Sequence, residues 1–231
     1  MPVAADRYWQ SAEQAVGSRK RSREARYTMA RAISTTPWTS RHEVWLHLLM
    51  TSDVTVLLIG GRSGVGKTSV AAEASELLQA AGVAHCLIDG DNLAAAYPKA
   101  SEDPHGSALA EANLRTLWAG YAAIGHARAI YVNTVSVLEA QMVLRAMEGG
   151  TAAAVLLTAD DDTAAARLGR REIGSALDEH VHRSTTMAAR LQSEAGVDVM
   201  RVSTDGRSVT EIAHEVLQTC GWMDTADLVT G

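Results

Sequence analysis

Between residues 54 and 72 the chain passes from a short apolar, β-branched run, Val54 to Ile59, through a glycine-rich turn and into an alanine-rich stretch. Strand, tight turn and helix in that order constrain the fold more than any other feature. The turn, Gly61-Arg62-Ser63-Gly64-Val65-Gly66-Lys67-Thr68-Ser69, fits G-x-x-x-x-G-K-[ST] at every fixed position from Gly61 to Thr68. Small residues let backbone N–H groups curl around a phosphate, and the helix beyond the turn offers its positive N-terminal end. Lys67 is placed to reach the β- and γ-phosphates, and the Thr68 hydroxyl to sit on Mg²⁺. A glycine-rich turn that merely precedes a lysine is the alternative, and the strand and helix on either side argue against it. A nucleoside triphosphate with Mg²⁺ is the expected ligand, with ATP and Mg²⁺ as the cofactors.

The remaining chain repeats the alternation. Val83 to Asp89, Ala129 to Thr134, Ala152 to Thr158 and Val199 to Val202 read as strands. Helices are expected after the loop as far as Gly82, from Ser107 to Ile124, from the capping-box pattern Ser136-Val137-Leu138-Glu139 to about Glu148, after Asp160-Asp161-Asp162, from Ser175 to Gly196, and from the capping box at Ser208 onward. Alternating strands and helices give an α/β three-layer sandwich, a parallel sheet with helices on both faces. Residues 1–52 differ. They hold three of the five tryptophans, a basic run from Arg19 to Arg26, and an expected helix from about Ser40 to Met50. They read as a helical N-terminal extension to a domain spanning 53–231, and Met29 or Met50 are alternative starts.

With 231 residues and 47% hydrophobic content the chain is long enough for one good core. A net charge of −6 argues against a surface dedicated to nucleic acid. Cys86 and Cys220 are too few and too far apart for a disulfide framework or metal motif. No secretory signal and no apolar run of 18 residues is present, so no membrane partner and a cytoplasmic location are expected.

Asp89-Gly90-Asp91-Asn92 ends the second strand, at the sheet edge where open α/β folds bind ligands. One carboxylate of the pair Asp89 and Asp91 can join the Mg²⁺ shell, and the other can take a proton from an attacking hydroxyl. Two carboxylates two residues apart on extended chain would point the same way. The alternative is a simple turn capped by Asp91 or Asn92. The third strand ends in Asn133-Thr134, without the acid that hydrolytic motors and switches carry there. Arg167, Arg170 and Arg171 precede the break at Ile173-Gly174, where a mobile lid at about 167–190 would bring positive charge onto a transferring phosphoryl group. His180, His182 and Arg183 are weaker candidates, because histidines two apart on a helix do not share a face.

Strand, GRSGVGKTS, helix and then LIDGDNL resemble the P-loop small-molecule kinases over about residues 53–222. The nearest branch is adenylylsulfate kinase-like, whose members carry DGDN at this place. Gluconate and shikimate kinases and chloramphenicol phosphotransferases share the same plan more distantly. The resemblance implies a five-stranded parallel sheet of order 2-3-1-4-5, Asp91 as base or substrate ligand, and Asp89 near the metal. It also places the turn from Thr204 to Val209 near adenine, with Asp205 and Arg207 as contacts. Leu93-Ala94-Ala95-Ala96 after DGDN and Asn133-Thr134-Val135-Ser136 after the third strand depart from the adenylylsulfate kinases. A hydroxylated metabolite, sugar or antibiotic fits better as acceptor than a sulfonucleotide. Asn92, Tyr97, Lys99, Asn113, Arg115 and Asn133 are its candidate contacts. The expected activity is ATP-dependent phosphotransfer to a small-molecule hydroxyl, with a homodimer left open. The competing reading is a regulatory ATPase or switch with the N-terminal segment as a partner-binding arm. A kinase of nucleic-acid ends using Arg19 to Arg26 is weaker.

Overall fold

The structure is a computed structural model and describes residues 54–171 and 177–223. The expected N-terminal helices, the basic run and the Ser175 cap lie outside those residues. Five strands, β1 (Thr55–Gly60), β2 (Cys86–Asp89), β3 (Arg128–Val132), β4 (Thr151–Thr158) and β5 (Met200–Ser203), form one sheet of order β2-β3-β1-β4-β5 with every pair parallel. The helices are α1 (Lys67–Ala80), α2 (Ser107–Ala123), α3 (Ala140–Ala146), α4 (Asp161–Arg171), α5 (Leu177–Glu194) and α6 (Val209–Thr219).

β1 is an unbroken apolar run because both its faces are buried. Leu57 and Ile59 pack with Val70, Ala74 and Leu78 of α1 and with Ile212, Val216 and Leu217 of α6. Val56 and Leu58 point the other way, onto Leu114 and Trp118 of α2 and Val143 of α3. A smaller apolar cluster of Val137, Leu156, Leu191 and Val199 seats α5 over the C-terminal half of β4. These layers bring three chain segments to one sheet edge: the turn after β1, the Asp-Gly-Asp after β2, and the stretch after β3.

Two expected boundaries shift. β2 begins at Cys86 rather than Val83, because Val83 N–H donates to the Leu78 carbonyl at 2.8 Å and spends those residues closing α1. The Ser136–Glu139 capping box does not form. A 3₁₀ turn spans Ser136–Leu138 and α3 starts at Ala140, with no side-chain cap. Packing overrides the motif: Ser136 and Val137 press against Gly60 at the end of β1, and Val137 joins the cluster under α5. The expected box at Ser208 does form. Glu211 N–H donates to Ser208 Oγ at 3.2 Å, and Ser208 N–H donates to Glu211 Oε2 at 2.8 Å.

Candidate active site

The turn from Gly61 to Lys67 packs tightly on its neighbours. Gly64 has φ +84°, and a Cβ there would lie 2.6 Å from the Ala164 carbonyl oxygen of α4, so only glycine fits. Lys67 is buried and its Nζ donates to the Arg62 carbonyl at 3.2 Å, across the mouth of the loop. A cavity of about 540 Å³ opens above it. Gly64, Gly66, Lys67, Thr68 and Ser69 form its floor, Asp91 and Thr134 one wall, and His180 and Arg183 of α5 the other.

Asp91 reaches that wall through a specific local construction. Asp89, the last residue of β2, accepts the Asp91 N–H on Oδ1 at 3.0 Å and so starts a 3₁₀ turn over Gly90–Asn92. The turn ends the extended geometry that would have aimed both carboxylates the same way. Asp89 caps, and Asp91 swings into the cleft, where its Oδ1 accepts the Thr134 N–H at 3.3 Å. Gly90 makes this close fit possible: a Cβ there would lie 2.4 Å from the ring of Tyr131, which is fully buried. Gly90→Ala is therefore expected to destabilise the protein by about 1–3 kcal/mol. It should also displace Asp91, cutting turnover more than nucleotide affinity, as melting curves and steady-state kinetics with ATP titration would show.

The loop is also tied to the helices above it. The Arg62 side chain is only 3% exposed. Its Nε donates to Ser184 Oγ at 2.8 Å, its Nη2 to Thr185 Oγ1 at 3.1 Å, and its Nη1 pairs with Asp161. Ser184 Oγ in turn donates to the Ser63 carbonyl at 2.8 Å. Arg167 braces the crest from below, with Nη1 to Thr204 Oγ1 at 2.9 Å and to the Val65 carbonyl at 3.4 Å, and Nη2 to the Thr204 carbonyl at 3.0 Å. Asp205 accepts the Asp160 N–H at 3.2 Å and joins the β5 exit to α4. Arg207 pairs with Glu215 at 2.6 Å.

Asp91 also lines a second cavity of about 600 Å³, with Lys99, His105, Asn133, Glu139 and Arg190 among its polar walls. Glu139 is half-buried, and its Oε2 accepts Asn133 Nδ2 at 3.4 Å. Burial, and then the nearby Asp91 charge, push the Glu139 carboxyl above its ordinary range, with Arg190 opposing. Lys99 Nζ donates to the His105 carbonyl at 3.0 Å, closing the loop in front of α2.

No family model matches the sequence, and no curated protein matches it. Solved structures do. The tunicamycin resistance protein of Deinococcus radiodurans superposes with a TM-score of 0.50 at 15% identity, over 74% of this chain and 97% of the other. A gluconokinase from Sinorhizobium meliloti gives 0.49 at 18%, over 74% and 94%. The Mycobacterium tuberculosis APS kinase, in complex with AMPPNP and APS, gives 0.46 at 21%, over 73% and 98%. The sheet order, with the glycine loop joining its central strand to α1, decides the architecture. This is a P-loop three-layer fold, similar to that of the tunicamycin resistance protein.

Within that fold the nominated residues separate. Lys67, Thr68, Ser69 and Asp91 meet at one cavity, and Lys99 and Asn133 at the second. Asn92 and Tyr97 lie outside both linings, with Tyr97 fully exposed. Asn113 donates Nδ2 to the Leu93 carbonyl at 2.8 Å, and Arg115 pairs with Glu111 at 3.0 Å on the outer face of α2. Arg170 is exposed on α4, and the side chain of Arg171 lies outside the described residues. His180 and Arg183, weaker candidates in the sequence, are the α5 side chains on the phosphate cavity. Their signal is the spacing of His180, Arg183, Ser184 and Met187, one helical face. Glu139 is missed by sequence reasoning because it reads as a capping partner.

Proposed function

We propose that this chain is an ATP-dependent phosphotransferase acting on a hydroxyl of a small molecule. One observation carries the reading: Asp91 belongs to both cavities, with the phosphate loop on one side and a pocket of small-ligand size on the other. The loop residues fit a triphosphate: Gly64 lets the turn close against α4 where a side chain would clash, and Lys67 and Thr68 face the cavity above it. Among the described residues no cluster of His, Cys, Asp or Glu is placed to hold a metal. Phosphate-bound Mg²⁺ needs only one or two protein oxygens, and the Thr68 hydroxyl supplies one. When bound, the ion neutralises charge on the β- and γ-phosphates.

Asp91 takes the proton of the acceptor hydroxyl as its oxygen forms a bond to the γ-phosphorus and the bond to the leaving ADP oxygen breaks. The Thr134 N–H holds that carboxylate in place. Arg183, paired with Glu179 at 2.5 Å, lies on the helix above the loop and is the lid cation for the transferring group. Arg167 serves instead as a brace for the loop crest.

The test is ADP release across a library of hydroxylated metabolites, sugars and antibiotics, with Lys67→Ala as the blank. Acceptor-dependent ADP release that disappears in the blank is expected. Slow hydrolysis indifferent to every acceptor would favour the regulatory ATPase.

A further inference from the structure

The second cavity carries information about the acceptor, on the premise that the chain is a kinase. Its charged groups are unequally engaged. Arg190 donates Nε to both Glu194 carboxylate oxygens at 3.1 Å and so offsets the Glu139 charge only in part. Lys99 is exposed, so water screens its charge, and its Nζ donates to the His105 carbonyl of its own loop. Glu139 differs. It is half-buried, makes no ion pair among the described residues, and accepts only the long bond from Asn133. A carboxylate withdrawn from water without a partner is costly. Here a second carboxylate, Asp91, lines the same cavity and adds to that cost. Ala94, Ala95, Ala96 and Ala110 are also among its lining, small residues that leave room for a ligand to approach both acids.

We propose that the acceptor is an alcohol that also carries an ammonium group, its hydroxyl at Asp91 and its amine at Glu139. An ammonium relieves the negative charge that Arg190 offsets only in part. A neutral polyol offers only hydrogen bonds, and an acidic acceptor brings a third negative charge to the same walls.

Three size-matched panels separate these classes: amino alcohols and amino sugars, neutral polyols, and hydroxy acids, each assayed with the full chain, ATP and Mg²⁺ for ADP release. Turnover is expected to concentrate in the amine panel. N-acetylation of the best substrate should raise its KM by about 30-fold or more, the effect of deleting one partner of a buried charge pair. Glu139→Gln keeps the shape and the Asn133 contact, and should raise KM for the amine by a similar factor with a smaller change in kcat. The KM for ATP should not move.

Folding is controlled independently. A carboxyl whose folded pKa lies above its ordinary 4.5 favours the folded state most at low pH, and that contribution is lost as pH rises through the folded value. Glu139→Gln should therefore melt no lower than wild type at pH 7. Preference for the neutral or acidic panel, or an unchanged amine KM in Glu139→Gln, overturns the assignment. So does silence in all three panels while ATP still binds, an outcome that leaves the nucleotide site standing. Failure of the wild-type chain to bind ATP at all removes the kinase reading together with the inference.

Discussion

Asp91→Asn is expected to lower kcat by about 10²- to 10⁴-fold while ATP affinity stays unchanged. The asparagine side chain keeps the size of the aspartate, and its amide oxygen still accepts the Thr134 N–H that fixes the position. What it loses is the capacity to take a proton. Nucleotide affinity is expected to rest on the loop backbone, Lys67 and Thr68, while the Asp91 Oδ1 accepts the Thr134 N–H. The discriminating measurement is therefore a pair: single-turnover transfer with a competent acceptor, and ATP binding by calorimetry. Loss of both together would mean that Asp91 shapes the loop rather than serving the reaction. Retention of both would remove it from the chemistry.

Arg62→Met is expected to cost about 2–4 kcal/mol of stability, a fall in melting temperature of roughly 5–15 °C. The guanidinium is buried and holds Ser184 and Thr185 of α5 against the phosphate loop. The ion pair with Asp161 contributes little of this, because that carboxylate is 65% exposed and stays solvated when its partner is removed. The loss comes from two charge-assisted bonds to hydroxyls in a water-poor setting. Arg62→Lys should recover only a small part, since an ammonium cannot span three partners in one plane. A weaker grip on ATP should accompany the melting change, because the same side chain links α5 to the loop. A melting temperature within a degree of wild type would show that α5 is held by its apolar contacts and the Ser184–Ser63 bond without help from Arg62.

The sheet is legible in the sequence because its signal is one-dimensional. Apolar runs such as Val54 to Ile59, broken by Gly82, Gly125 and Gly149, record strands and turns directly in chain order. The glycine-rich loop is legible for the same reason, its motif lying in eight consecutive residues. The acceptor side is not. Glu139 sits beside Asp91 only because the chain leaves β3 in a 3₁₀ turn, and that turn depends on Val137 being drawn under α5. Local sequence at Ser136 to Glu139 points to a helix cap instead, and local and long-range preferences conflict there. Arg167 differs again. It does sit near the end of a helix, yet its side chain folds back on Thr204 and Val65, a direction that spacing along α4 does not encode. Asp89 and Asp91 are separated by Gly90, whose fit against Tyr131 involves residues some forty positions apart.

β1 takes its two neighbours from distant parts of the chain: β3, beginning at Arg128, and β4, beginning at Thr151. On the ribosome that order has a cost in time. The central strand emerges first, and its second partner comes out roughly 100 residues later, which at ordinary elongation rates is about 5–20 s. Until β3 follows, both edges of this apolar hexapeptide are open, and until β4 follows one still is, the condition under which nascent chains recruit holding chaperones or aggregate. Lower growth temperature and added ribosome-associated chaperones are thus the first remedies if the protein is recovered in inclusion bodies.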